Sequence, residues 1–223
     1  MKKQKNHSKI YKIDGVGVNL SRFHSVSAEE KSRLRVELGY SDGDFLITVV
    51  AELNKNKNQI MLVQKARELK AIIPTLKILL IGKETLPIVR EYVEKENLFD
   101  IVQFLGYRND VDKLTMISDI AFSASLREGL PVNIIEAMAC GIPVVCSDNR
   151  GHCSLVIDKE TGFIFSPKSE KEMTDAIVLL YKNPALRSEM GNRNIDRAKS
   201  FSLDIALNSM AVIYGDLISF SKE

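Results

Sequence analysis

The 223-residue chain contains no tryptophan, only three cysteines and six prolines, and aromatic residues make up 7% of it. No apolar run approaches the roughly eighteen residues of a transmembrane helix, so the sequence predicts no membrane span. An excess of one charge is also missing, because 31 lysines and arginines face 29 acids and the net charge is +2. That balance gives no reason to expect a nucleic-acid partner. With 45% hydrophobic and 27% charged residues, the composition is typical of one compact globular domain.

The cysteines Cys140, Cys146 and Cys153 are odd in number and lack the spacing of metal ligands. We expect reduced, mostly buried thiols of a cytoplasmic protein, and no metal site. His152 is expected to be structural rather than a ligand. Residues 1–12 are basic, but no apolar segment follows them, so they do not form a secretory signal.

Apolar runs of strand length alternate with segments of helical spacing along most of the chain. The run 44–51 is continuous, as expected for a strand that is buried on both faces. Strands are predicted at 44–51, 76–81, 101–105, 119–123, 142–146 and 162–165. Helices are predicted at 57–72, 85–96, 109–117 and 131–140, and then at 169–182, 184–199 and 201–219. This order indicates an α/β fold with a Rossmann-like parallel sheet, helices on both faces, and further C-terminal helices.

Four candidate site residues come directly after predicted strands, namely Lys57, Gly82, Tyr107 and Glu128. In sheets of this kind, ligands bind outside the carboxyl ends of the strands, where the strand order reverses. We therefore expect these four residues at the same edge of the sheet.

The segment 125–138 carries the most specific pattern in the chain. Pro131 suits the first position of a helix, whose free N–H groups and positive dipole end attract an anion. Glu128 falls on the preceding loop and Glu136 inside the helix, and carboxylates at these places can accept hydrogen bonds from sugar hydroxyls. The pattern favours a nucleotide-sugar site, although a helix that merely packs on the sheet would also contain such residues.

From Glu128 to Val145, including the run Glu-Ala-Met-Ala-Cys-Gly-Ile-Pro-Val-Val, the chain resembles the donor-binding signature of family 4 retaining glycosyltransferases, which have the GT-B fold. The resemblance implies that Glu128 is the catalytic-site carboxylate beside the donor sugar. It also implies donor-binding roles for Lys57, Gly82, Tyr107, Arg108, Gly129, Leu130, Pro131, Val132, Asn133 and Glu136. Either Tyr107 or Arg108 would stack on the base, with a plain surface loop as the alternative.

The segment 51–58 is similar to a second element of that family, and there Lys57 matches the lysine that holds the donor diphosphate. Glu52 stands where the family has an arginine, and a carboxylate repels a diphosphate. Three explanations remain open: Glu52 turns away, Lys55 replaces the missing charge, or affinity is low. A solvated loop without any site role is a fourth.

The resemblance covers nearly the whole chain but only the C-terminal half of the family's GT-B fold. Residues 17–23 resemble the element that begins this half, so we expect a linker stub at 1–16 and a nucleotide-sugar-binding domain at 17–223. The N-terminal half, which binds the acceptor, would then be missing. The helix at 201–219 has an apolar face that would lack its partner, which favours self-association.

The sequence therefore predicts the donor-binding half of a glycosyltransferase that takes a nucleotide sugar, expected to be a UDP-sugar, as substrate without a cofactor. The expected acceptor is a glycan or a lipid-linked glycan of surface polysaccharide synthesis. The expected location is the cytoplasm, at the inner face of the membrane, with contact to it through the missing half. The alternative is a noncatalytic nucleotide-sugar-binding subunit of a split enzyme. An epimerase is disfavoured by the Glu128–Glu136 block, and the chain alone is expected to be inactive.

Overall fold

In the computed structural model, the described residues are 10, 11, 13 and 15–220, so most of the predicted linker stub lies outside them. Six strands form one parallel sheet in the order β3-β2-β1-β4-β5-β6. The strands are β1 (Phe45–Val50), β2 (Leu76–Ile81), β3 (Val102–Gly106), β4 (Ile120–Ser123), β5 (Val144–Ser147) and β6 (Gly162–Phe165). Each lies within two residues of its predicted bounds, and the predicted Rossmann-like sheet is confirmed.

Helices connect the strands and complete the C-terminal part of the domain. They are α1 (Ala28–Glu37), α2 (Ile60–Gln64), α3 (Ala66–Ile72), α4 (Ile88–Lys95), α5 (Val111–Met116), α6 (Val132–Ala139), α7 (Arg150–Leu155), α8 (Glu170–Lys182), α9 (Pro184–Ala198) and α10 (Leu203–Phe220). A 3₁₀ turn, Lys199–Phe201, joins α9 to α10. In the part of the chain that the structure describes, none of these helices is both long and apolar enough to cross a membrane.

Two helices, α1 and α7, were not predicted. Helix α1 is mostly charged and buries only Leu34 and Arg35, so it has almost no apolar periodicity. Helix α7 is six residues long and contains a glycine, which is too short for a helical pattern to emerge. Side-chain caps hold both helices, because Ser27 and Asn149 accept hydrogen bonds from backbone N–H groups of their first turns.

The structure also corrects several predicted helices, and the helices predicted at 85–96 and 201–219 begin later, at Ile88 and Leu203. The helix predicted at 57–72 is divided into α2 and α3 at Lys65, which leaves the helical conformation. The helix predicted at 109–117 is α5, which begins at Val111, and the carboxylate of the preceding Asp110 is held by Arg108 instead of capping the helix. Pro131 is the extended residue before α6, which begins at Val132.

The sheet is covered by a hydrophobic cluster on each face. Alternate residues of one strand point to opposite faces, so Ile47 and Ile78 join one cluster while Leu46 and Leu79 join the other. Burial on both faces explains why the central strands read as continuous apolar runs rather than as alternating ones. The helices therefore lie on both faces, as predicted.

The strand order reverses between β1 and β4, which are neighbours in the sheet. The chain moves outward from β1 through β2 to β3, then returns to the other side of β1. The loops that leave the carboxyl ends of β1 and β4 consequently diverge, and a crevice opens between them. This geometric constraint fixes the place of the candidate site.

Helix α9 is fastened to the sheet by one buried amide. Asn194 is fully buried, and its Nδ2 donates to the carbonyl oxygens of Ile142 (2.9 Å) and Thr161 (2.8 Å). Helix α10 continues beyond this contact and leaves large apolar side chains exposed, among them Leu207, Val212 and Tyr214. The apolar surface of the C-terminal helix is thus open along most of its length.

We predict that Asn194→Ala lowers the free energy of unfolding by about 2–4 kcal/mol, because it leaves two buried carbonyl groups without a donor. The exposed Asn208 of α10 provides a matched control, for which Asn208→Ala should change stability by less than about 0.5 kcal/mol. Urea unfolding followed by circular dichroism measures both. Equal stability of the two variants would show that the Asn194 amide is not needed to hold α9.

Candidate functional site

The loops that follow β1 and β4 are joined by two hydrogen bonds at the strand-order reversal. The backbone N–H of Leu126 donates to the carbonyl of Asn56 at 2.8 Å, and Asn56 Nδ2 donates to the carbonyl of Arg127 at 3.1 Å. Because both loops are otherwise irregular, these bonds fix how far apart their side chains stand. Neither Asn56 nor its role was predicted from the sequence.

Across this junction, Lys57 Nζ lies 2.5 Å from Glu128 Oε1. Both side chains are largely withdrawn from water, with 25% and 13% of their surfaces exposed. Burial raises the pKa of Glu128, but hydrogen bonds with Lys57 and Ser125 outweigh it and hold the pKa below its usual value. The structure therefore brings together the two residues that the sequence placed after different strands.

The start of α7 supports Glu128 from behind. A Cβ atom on Gly151 would lie 2.6 Å from Glu128 Cβ, so only glycine allows the two segments to approach this closely. The next residue, His152, is fully buried, and its Nδ1 is within 2.8 Å of the Ser147 carbonyl and of Asn149 Nδ2. Burial lowers the pKa of His152. These Nδ1 contacts hold the ring in place, whereas the buried Nε2 has no hydrogen-bond partner among the described residues.

The N-terminus of α6 faces the same crevice. Asn133 Nδ2 donates to the carbonyl of Val50 at 2.9 Å, which ties the first turn of α6 to the end of β1. Within the described part of the chain, no acceptor is assigned to the backbone N–H groups of Gly129, Leu130, Val132 and Asn133. Four free donors beside Lys57 can bind an anion such as a phosphate.

Glu136 lies one turn further along α6 and is partly buried. Burial raises its pKa to about 7; nearby Arg22 opposes the increase, and Asp112 adds to it. Arg22 is engaged by Asp112 at 3.1 Å and by the carbonyl of Asn109 at 2.6 Å, so it does not pair with Glu136. The Glu136 carboxyl group is thus without an ion-pair partner among the described residues and free to contact a ligand.

A cavity of about 470 Å³ opens beyond the ends of β2 and β3. Gly82 lines it with a φ of 149°, and a Cβ there would lie 2.1 Å from the carbonyl oxygen of Ala51, so this wall must be glycine. The guanidinium of Arg90 stacks on the Phe104 ring at 4.2 Å and pairs with Glu84 at 2.7 Å. The planar surface is suited to an aromatic ring. Arg90 and Glu84 carry no signal in the sequence, because only the tertiary fold brings them to this cavity.

Of the two residues expected to stack on a base, Tyr107 lines this cavity and is 82% exposed. Arg108 does not line it, because its guanidinium is bound at 2.8 and 2.6 Å by the two carboxylate oxygens of Asp110. Glu52 is exposed and lies 3.5 Å from Asn54 Nδ2. Lys55 is exposed as well, with no ion-pair partner in the described residues.

The described residues contain no group of three or more His, Cys, Asp or Glu side chains that could hold a metal ion. All three cysteines are free thiols, with Cys140 and Cys146 buried and Cys153 exposed. The edge as a whole offers free amides and a lysine for phosphates, two carboxylates for hydroxyl groups, and a flat-walled cavity for a ring.

Comparison with known proteins identifies similar sequences among glycosyltransferases. The model of the family "glycosyl transferases group 1" matches residues 30–197. The putative glycosyltransferase EpsD of Bacillus subtilis is 35% identical over 212 residues, which are 95% of this chain and 56% of that protein. The Escherichia coli enzyme UDP-Gal:alpha-D-GlcNAc-diphosphoundecaprenol alpha-1,3-galactosyltransferase is 26% identical over 209 residues, or 86% of this chain and 54% of the enzyme.

Among solved structures, Anabaena HepE in complex with UDP and glucose has a TM-score of 0.81 at 22% identity, over 90% of this chain and 55% of HepE. At that identity the likeness shows the fold alone, which is that of one Rossmann-like half of a GT-B glycosyltransferase. The chain spans about half the length of the curated relatives it matches. The family match, in contrast, extends over most of this chain, which therefore belongs to the group 1 glycosyltransferases.

Proposed function

We propose that this chain binds the donor of a retaining glycosyltransferase, which transfers a sugar from a UDP-sugar to a glycan or lipid-linked acceptor in surface polysaccharide synthesis. One observation carries the proposal, namely the contact of Lys57 with Glu128 beside the free amides of α6. A cation and backbone donors suit a diphosphate, and a carboxylate at the same point suits the hydroxyl groups of the attached sugar.

The donor would extend along the carboxyl edge of the sheet. Its diphosphate would lie on Lys57 and on the amides of Val132 and Asn133 next to Pro131, and its sugar hydroxyls would contact Glu128 and the amides of Gly129 and Leu130. Glu136 would hold the ribose hydroxyls. The base would enter the cavity lined by Gly82 and Tyr107, whereas Arg108, which is bound to Asp110 and does not line the cavity, would not stack on it.

In the transfer step, the bond between the anomeric carbon and the diphosphate oxygen breaks, and the electron pair leaves with the UDP. Lys57 and the free amides of α6 would stabilise the negative charge that develops on this leaving group. The acceptor oxygen would form the new bond to the anomeric carbon on the face that the UDP leaves, and the proton of the acceptor hydroxyl would pass to the departing diphosphate oxygen. This retaining outcome rests on the resemblance to family 4.

Uridine is the proposed nucleoside because the Escherichia coli relative is named for UDP-Gal and the HepE structure contains UDP. The same relative is named for a diphosphoundecaprenol-linked acceptor, which supports a lipid-linked acceptor here. We place the acceptor on a second Rossmann-like half facing this edge, since the relatives are nearly twice as long. The assembled enzyme would work in the cytoplasm, at the inner face of the membrane.

We predict that the chain alone transfers no sugar and that adding an N-terminal half from a relative restores transfer. The reason is that bond formation requires the acceptor to be held at attack distance from the donor. The measurement is transfer from a UDP-sugar to a lipid-linked acceptor, with and without the added half. Turnover by the chain alone would show that a second half is not needed to hold the acceptor. Binding of UDP without turnover in either case would favour the noncatalytic subunit.

We predict that UDP binding strengthens roughly tenfold between pH 6 and pH 8. The pKa of Glu136 is raised to about 7, so the carboxyl is mostly neutral at pH 6 and mostly ionised at pH 8, and the ionised form is the stronger acceptor for ribose hydroxyls. Calorimetry across this range tests the prediction. Uridine should show the same rise, which removes the titration of the phosphates from the comparison.

Glu136→Gln is the matched control because it keeps the size of the side chain but cannot ionise. It should bind uridine with little pH dependence and should weaken UDP binding at pH 8 by roughly 10- to 150-fold, the equivalent of one charge-assisted hydrogen bond. If wild type and Glu136→Gln have the same affinity and the same pH profile, Glu136 does not hold the ribose.

A further inference from the structure

A second cavity, of about 520 Å³, adjoins the Glu128 loop but is not needed for the diphosphate, the ribose or the base. Its walls include Gly129, Leu130, Arg150, Ser154, Ser200 and Phe201. No carboxylate is among the described residues that line it, and Arg150 is their only cation. The cavity thus places a positive charge beside Gly129 and Leu130 of the Glu128 loop.

The Arg150 side chain differs from the structural arginines of this domain. Arg35 donates to several main-chain carbonyls and to Asp119, and Arg197, close to the same cavity, donates to the carbonyls of Ser154 and Leu155. Arg150 is exposed, and within the described residues it has neither a hydrogen-bond acceptor nor an ion-pair partner. An unpaired guanidinium presents planar, paired N–H donors that match a carboxylate or a phosphate.

The location of Arg150 relates it to the sugar rather than to the nucleotide. Its neighbour Gly151 packs directly against Glu128, because a Cβ atom added to Gly151 would lie only 2.6 Å from Glu128 Cβ. Arg150 is therefore one residue away from a contact with the Cβ atom and main chain of Glu128, whose carboxylate we assign to the donor sugar. The base cavity, by contrast, lies at the other end of the edge, beyond β2 and β3.

We propose that Arg150 binds an anionic group of a substrate next to the transferred sugar, whose hydroxyl groups contact the amides of Gly129 and Leu130. The group is a carboxylate on the donor sugar, as in a uronic acid, or a phosphate of the acceptor. This inference rests on the proposed function, because it takes the position of the donor sugar from it. It makes Arg150 a residue that selects charged over neutral substrates.

The donor source is tested by calorimetry with UDP-glucose and UDP-glucuronate on wild type and Arg150→Gln. If the anion belongs to the donor, Arg150→Gln weakens UDP-glucuronate binding by roughly 10- to 150-fold and leaves UDP-glucose binding within about twofold. Arg127→Gln is the matched control, since Arg127 is also exposed and adjacent to Glu128 but does not line the cavity. It removes the same charge and should change neither affinity by more than about twofold.

The acceptor source is tested by titrating a short-chain alkyl diphosphate sugar, and the corresponding neutral alkyl glycoside, into the chain with and without saturating UDP. If the anion belongs to the acceptor, wild type binds the diphosphate more tightly than the glycoside, and Arg150→Gln removes the difference. The proposal is overturned if Arg150→Gln affects neither UDP-glucuronate nor the diphosphate sugar, or if Arg127→Gln has the same effect. Absence of UDP binding would instead count against the proposed function.

Discussion

The ion pair between Lys57 and Glu128 is the interaction on which the site depends, because it joins the two loops that leave the sheet where the strand order reverses. Two charges withdrawn from water lose hydration, so they need close and well-oriented partners. The surrounding structure provides that geometry. Asn56 connects the two loops, and Gly151 lets α7 support Glu128 without a gap.

The same pair would let this edge accept the nucleotide sugar that we propose as the donor. In the absence of a ligand, Lys57 and Glu128 satisfy each other. A diphosphate can replace Glu128 as the partner of Lys57, and Glu128 then becomes available for the hydroxyl groups of the attached sugar. Because the two events use one pair of side chains, binding of the phosphate and orientation of the sugar would be coupled. The free amides at α6 add donors that require no rearrangement.

The sheet could be predicted from the sequence because its strands are buried on both faces and read as continuous apolar runs, as in 44–51. The positions of Lys57 and Glu128 followed from the rule that ligands bind at the carboxyl ends of such strands. Helices α1 and α7 could not be predicted, since caps and tertiary contacts hold them rather than apolar periodicity. The positions of Arg90 and Arg150 beside cavities could not be predicted either, because nothing in the local sequence distinguishes an arginine that lines a cavity from one that is fully solvated.

The role of Lys57 at the diphosphate is tested by the effect of Lys57→Ala on the affinities for UDP and for uridine, measured side by side by calorimetry. Only UDP carries the diphosphate, so we expect a loss of at least roughly tenfold for UDP, the equivalent of one charge-assisted hydrogen bond, and a change within about twofold for uridine. Equal losses for both ligands would show that Lys57 holds the loop in shape rather than the phosphates, and would contradict the assignment of this edge as a diphosphate site.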